Sequence, residues 1–173
     1  IFRLSMIDLI PNGSSHDEIV VLAKELETAG INIINTGIGW HEARIPTIAT
    51  SVPPAAFTWV TKKLMGKIKI PLITSNRINT PEKVEEVLKS KCADLVSMAR
   101  PFLADPEFVN KASQEKSQLI APCIACNQAC LDHTFKGQIS SCLVNPRACF
   151  ERELELKMAS NPKNIGIVGA GPA

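Results

Sequence analysis

IPLITSNRINTPEKVEEVLKSKCADLVSMARP, residues 70–101, reads as one strand–helix–strand unit. Residues 70–75 are a short β-branched run. Thr80-Pro81 is a helix start with proline at its first position, the helix runs to Lys89, and residues 93–98 are a second apolar run. The same unit repeats upstream. INIINT (31–36) is a strand, and the helix before it opens at Ser15 and Glu18, which have capping-box spacing. That helix carries Ile19, Leu22, Ala23 and Leu26 at helical spacing, and Gly30 stands where its C-terminus favours a left-handed residue. IFRLS (1–5) is a further strand, 54–64 a helix, and Asp105-Pro106 opens one more. Strands therefore start near 1, 31, 70 and 93 with one helix in each interval, the rhythm of parallel βα units. An open doubly wound sheet and a (β/α)8 barrel share this rhythm. A whole barrel takes about 250 residues, so four units amount to half of one.

Composition narrows the class. In 173 residues, 19 Lys and Arg stand against 17 Asp and Glu, too even for a nucleic-acid surface, and no basic stripe is present. Hydrophobic content of 45% with 21% charged residues excludes a disordered chain. The longest apolar runs fall far short of the roughly 20 residues of a membrane span, and no secretory leader opens the sequence, which points to a cytoplasmic protein. The chain starts inside an apolar run and stops after a glycine-rich turn, so it reads as an internal piece of a longer polypeptide.

From residue 121 the texture changes. Residues 122–150 hold five of the six cysteines with little periodicity, 151–163 is a charged linker, and NIGIVGAGPA (164–173) opens a new strand and turn. Cys123, Cys126, Cys130 and Cys142 follow the spacing C-x2-C-x3-C-x11-C. A C-x2-C turn brings two thiolates to one centre, and two more close a four-thiolate shell that suits a [4Fe–4S] cluster or a structural zinc. The three-residue interval before the third cysteine and the solitary fourth cysteine lean toward iron–sulfur. Disulfides need an oxidising compartment that nothing here suggests. Cys149 competes as the fourth ligand, and Cys92 reads as a small buried residue.

Other residues carry weaker signals. Arg77 and Arg100 follow consecutive strands, so both emerge at one carboxyl edge, where guanidinium forks and loop amides can bind phosphate; the alternative is two surface arginines. Arg3 lies within a strand and either points into a barrel or reaches solvent from an edge. His41, between Trp40 and Glu42 in a long loop after a strand, is a candidate acid/base group or simply a polar loop residue. His16 and His133 have less to recommend them. Gly166, Gly169 and Gly171 match the opening of a dinucleotide-binding fingerprint, whose third glycine would fall at position 174.

A βα array, a four-cysteine cluster and a dinucleotide fingerprint in that order resemble the old-yellow-enzyme-like flavin/iron–sulfur oxidoreductases. The stretches INTGIGWHEARIPTIAT (34–50), SMARPFLADPE (97–107), CIACNQACLD (123–132) and SCLVNPRAC (141–149) carry a particular resemblance to the bacterial NADPH-dependent 2,4-dienoyl-CoA reductases. The related trimethylamine dehydrogenases have a shorter third cysteine interval. The resemblance implies that residues 1–117 are the second half of an FMN-binding (β/α)8 TIM barrel and 118–150 a [4Fe–4S] segment. After the 151–163 linker, 164–173 would be the first strand of a Rossmann-type FAD/NAD(P) domain. It assigns Arg3 to the flavin ring, Arg77 with the Ala99-Arg100 turn to the FMN phosphate, and Gly169 and Gly171 to the FAD site. The four cysteines become the cluster ligands, and His41 a residue on the substrate side. The implied pathway runs from NADPH to FAD, through the cluster to FMN, and on to a dienoyl-CoA thioester, leaving an enoyl-CoA in the β-oxidation of unsaturated fatty acids. The family's proton-donating tyrosine belongs to the other barrel half, and this chain contains no tyrosine. The rest of the same polypeptide is then the expected partner. Two other readings stay open: another flavin/iron–sulfur enzyme, such as an amine dehydrogenase or enoate reductase, and a non-enzymatic zinc-binding module.

Overall fold

A computed structural model describes residues 1–39, 43–166, 168 and 169. Strand β1 (Phe2–Ser5) leads to helix α1 (His16–Thr28), β2 (Ile34–Gly37), α2 (Thr58–Leu64), β3 (Leu72–Thr74), α3 (Pro81–Lys89) and β4 (Leu95–Val96). Helices α4 (Arg100–Ala104) and α5 (Phe108–Ser113) follow, and α6 (His133–Phe135) lies in the cysteine-rich segment. The parallel βα reading holds: β1 to β4 form one sheet in sequential order, every pairing parallel. A doubly wound sheet reverses its strand order at a switch point. These four strands have none, and their one-way order is that of a barrel wall.

Strand alternation separates two faces. Leu4, Ile34 and Leu72 point to the helix side and pack with Ile19 and Ala23 of α1 and with Val60 and Leu64 of α2. Polar groups on that side are paired. Thr36 Oγ1 lies 2.7 Å from Thr61 Oγ1, which lies 2.9 Å from Thr74 Oγ1, and Thr36 donates to the Ile73 carbonyl at 2.8 Å. All three threonines are buried. On the other face, Arg3 pairs in register with Asn35, whose Oδ1 accepts from Arg3 Nη1 and from Ser97 Oγ, each at 3.3 Å.

The boundaries depart from expectation where local chemistry intervenes. The capping box at Ser15 and Glu18 forms, and Thr80 caps α3. Helix α2 starts at Thr58 rather than 54, because Ala55 sits in the left-handed region at φ +58° and a turn precedes the helix. The helix expected from Asp105-Pro106 is α5, which starts at Phe108, and the unexpected α4 lies just before it. Asp105 is extended (φ −147°), as a residue before proline is driven to be, and this separates α4 from α5. The expected strand at 93–98 narrows to Leu95–Val96, although Ser97 N still donates to the Thr74 carbonyl at 2.9 Å. The dinucleotide-domain strand expected at 164–173 is not formed among the described residues: 164–166, 168 and 169 are exposed, with no strand beside them to take their backbone hydrogen bonds. No helix among the described residues is long and apolar enough to cross a membrane.

Candidate functional site

The carboxyl ends of the strands open onto a cavity of about 370 Å³. Arg3, Arg77 and Arg100 all line it, together with Ala99, the residue before α4. The route that brings Arg77 there is specific. Asn76 and Arg77 are both left-handed (φ +76° and +54°), which turns the chain sharply after β3. Arg77 Nε donates to the Val52 carbonyl at 2.8 Å, and the Arg77 carbonyl accepts from Ala55 N at 2.8 Å. Burial, with the Arg100 charge adding to it, pulls the Arg77 guanidinium below its usual pKa. Among the described residues none of the three arginines is ion-paired with a carboxylate. Three guanidiniums on one cavity without a counter-charge make a site for an anion, and the fork geometry of arginine suits phosphate.

Arg100 lines the same cavity, and part of its guanidinium is held by the protein. Its Nη1 donates to the Ile48 carbonyl at 3.0 Å and to Asn127 Oδ1, so that nitrogen is committed to the protein rather than free for an anion. Arg100 also lines a second, apolar cavity.

The second cavity collects Cys123, Cys126, Cys130 and Cys142, with Leu103, Ile124, Leu143 and Val144 around them. The backbone curls to do this. Ala125 and Asn127 are left-handed (φ +55° and +63°), and Gln128–Asp132 forms a single π-helical turn. Ala125 N donates to Cys123 Sγ at 3.4 Å. The limb bearing Cys142 is brought back by Ser141 N to the Ala129 carbonyl at 2.7 Å and by Thr134 Oγ1, which meets Ser140 Oγ at 2.8 Å and the Cys130 carbonyl at 3.0 Å. Burial pushes the Cys130 thiol up. All six cysteines are free. Cys149 is exposed, left-handed at φ +66° and absent from the cavity wall. Among the described residues no three His, Cys, Asp or Glu side chains close up around a single metal ion.

The cavities share a wall: Arg100 and Cys123 line both. Four contacts that the sequence did not announce fasten the cysteine segment to the βα array. Asn79 Nδ2 donates to the Cys123 carbonyl at 2.8 Å, Thr50 Oγ1 to the Ile124 carbonyl at 2.7 Å, and Asn145 Nδ2 to the Leu103 carbonyl at 2.8 Å. Buried Asp105 accepts from Ala121 N at 2.9 Å and from Lys111 Nζ at 2.6 Å. Burial raises the Asp105 pKa, but Lys111 and the amides of Ala121 and Glu107 outweigh it and hold the carboxyl below its ordinary range. These partners lie far apart in sequence, and none belongs to a local motif.

Not every candidate joins the site. His41 and Gly171 lie outside the described residues. Gly166 and Gly169 are exposed with nothing within 4 Å of where a Cβ would be. His16 begins α1, and His133 Nδ1 is 3.0 Å from the Ile139 carbonyl.

Residues 1–118 match the NADH:flavin oxidoreductase / NADH oxidase family. The whole chain is 42% identical to 26% of a metal reductase from Desulforamulus reducens. Over 99% of its length it is 32% identical to 27% of an NADH oxidase from Thermoanaerobacter brockii. A solved complex of a 2-naphthoyl-CoA reductase with 2-naphthoyl-CoA superposes on 88% of this chain and 23% of its own, with a TM-score of 0.84 and 31% identity. The chain therefore spans about a quarter of the length of the curated relatives it matches. None of these three bears the name of a dienoyl-CoA reductase, so the similarity supports the flavin oxidoreductase family rather than that one member.

Proposed function

The chain belongs to the NADH:flavin oxidoreductase / NADH oxidase family, and on that basis we propose that it supplies half of an FMN-binding barrel and the [4Fe–4S] segment of an enzyme reducing 2,4-dienoyl-CoA thioesters. The observation that carries this reading is the wall shared by an arginine-lined cavity and a four-cysteine cavity. Bound there, FMN would supply hydride to an electron-poor carbon, and the cluster would supply the electrons that come from NADPH through FAD.

Each residue has a stated part. Arg77, which lines the cavity while its Nε is held by the Val52 carbonyl, binds the FMN phosphate. Arg3, steadied by Asn35, places a positive charge where the flavin ring would carry negative charge. Cys123, Cys126, Cys130 and Cys142 hold the cluster, with the aliphatic side chains of Leu103, Leu143 and Val144 beside it. His41 assists protonation of the substrate, and Gly169 with Gly171 begins the FAD site. A CoA thioester as substrate is supported by the 2-naphthoyl-CoA reductase neighbour. The metal reductase, 42% identical over the full chain, favours a second reading in which an oxidised metal ion is the terminal acceptor.

The complete enzyme decides between them. Purified anaerobically, it is expected to contain FMN, iron and acid-labile sulfide, and to oxidise NADPH far faster with a 2,4-dienoyl-CoA than with ferric chelates. Faster turnover with the metal overturns the thioester reading, and absence of FMN overturns both.

A further inference from the structure

Among the described residues, the link from Asn79 is the one between the βα array and the cysteine segment that ends on one of the four clustered cysteines. Asn79 lines the arginine cavity, and Cys123, whose carbonyl takes its amide proton at 2.8 Å, lines both cavities. The amide therefore sits on the partition between the two proposed redox groups. Its own position is firmly set. Ile78 beside it is 3% exposed, Thr80 on its other side caps α3, and the left-handed Asn76-Arg77 turn before it is held by the Val52 carbonyl and Ala55 N. Cys123 is itself buried, so water has little access to replace a lost donor at its carbonyl.

We infer that Asn79 is a positioning residue for electron transfer: by fixing Cys123 it fixes the gap between the iron–sulfur cluster and the flavin. The inference rests on the reading above that both groups bind this protein. Each crossing would carry one electron from the reduced cluster to the flavin, two crossings would reduce the flavin fully, and the cluster would be re-reduced one electron at a time by FAD that has taken the hydride of NADPH. Because Asn79 touches the peptide of Cys123 and not its sulfur, the amide governs distance, while ligation is left to the thiolates.

The test uses the complete enzyme carrying Asn79→Leu, which keeps the side-chain bulk and removes the donor. Cluster-to-flavin electron transfer is followed by flavin absorbance after rapid mixing with NADPH. FMN and iron contents and the midpoint potentials of both groups are measured alongside. Electron tunnelling falls steeply as the gap widens, and the transfer rate is expected to fall severalfold while both contents and both potentials stay at wild-type values. If Asn79→Leu does not fold, Asn79→Asp, of the same outline and without the amide donor, is read in the same way. An unchanged transfer rate with both groups present overturns the inference. So does loss of iron or FMN in both variants, which would make the residue merely structural. A wild-type enzyme lacking either group overturns the proposed function itself, and is seen before any variant is made.

Discussion

Cys130→Ser in the complete enzyme is expected to abolish iron and acid-labile sulfide, whereas Cys149→Ser leaves both at wild-type stoichiometry. Cys130 stands in the apolar cavity with Cys123, Cys126 and Cys142, on the π-helical turn that curls around it. A serine there offers a hydroxyl that does not ionise near neutral pH, so one corner of a four-thiolate shell is lost in surroundings with no spare cysteine. Cys149 is the nearest substitute in sequence, but it is exposed, points away in a left-handed turn and does not reach the cavity. The measurement is colorimetric iron and sulfide after anaerobic reconstitution, with zinc determined in parallel. Stoichiometric zinc without labile sulfide would sink the cluster assignment. Loss of iron in the Cys149 variant would show that the fourth ligand is misassigned.

Arg77→Ala is expected to weaken FMN binding by about 10- to 100-fold, the equivalent of the ≈ 1.5–3 kcal/mol of a charge-assisted hydrogen bond. Arg77 is the arginine of the cavity whose terminal nitrogens hold no carbonyl, since only its Nε is engaged, by Val52. Arg77→Lys should recover part of the affinity, because it restores the charge without the planar fork that grips two phosphate oxygens. Titration of the complete apoenzyme with FMN, read by quenching of flavin fluorescence, gives both numbers. Equal affinity in the wild type and the alanine variant would remove Arg77 from the phosphate site and leave the Ala99-Arg100 turn to hold it.

The parallel βα array was legible because it is written locally. A capping box at Ser15 and Glu18, the Thr80-Pro81 start and β-branched runs each act within a few residues, and the strands and helices they specify are present. Element lengths were less legible. Residues 93–98 look like a strand throughout, yet only Leu95–Val96 pairs, because β3 offers three residues to pair with. Helix α4 was missed because the eye falls on Asp105-Pro106, while the helix begins with Arg100-Pro101, five residues earlier. The grouping of the cysteines is encoded in spacing. What holds the group against the array is not: Asn79, Thr50 and Asp105 act on Cys123, Ile124 and Ala121 across long sequence separations. Arg100 shows the same limit. Sequence places it at the carboxyl edge beside Arg77, but only the fold reveals that Ile48 and Asn127 hold its Nη1 and that it lines the cysteine cavity as well.

The threonine chain has a consequence for how the molecule opens. Thr36, Thr61 and Thr74 join two strands and a helix through hydroxyls with no solvent at hand. Withdrawing one takes a buried partner from its neighbour, so β2, β3 and α2 have little to gain by loosening separately. They should behave as one cooperative unit whose amides exchange only when all three come apart together. Residues 151–166, exposed along their whole length, exchange independently of it. The arginine cavity is carried on the far ends of those same strands. Its shape therefore persists as long as this interior lock stays closed, and fluctuations of the polar loops around it leave the lock untouched.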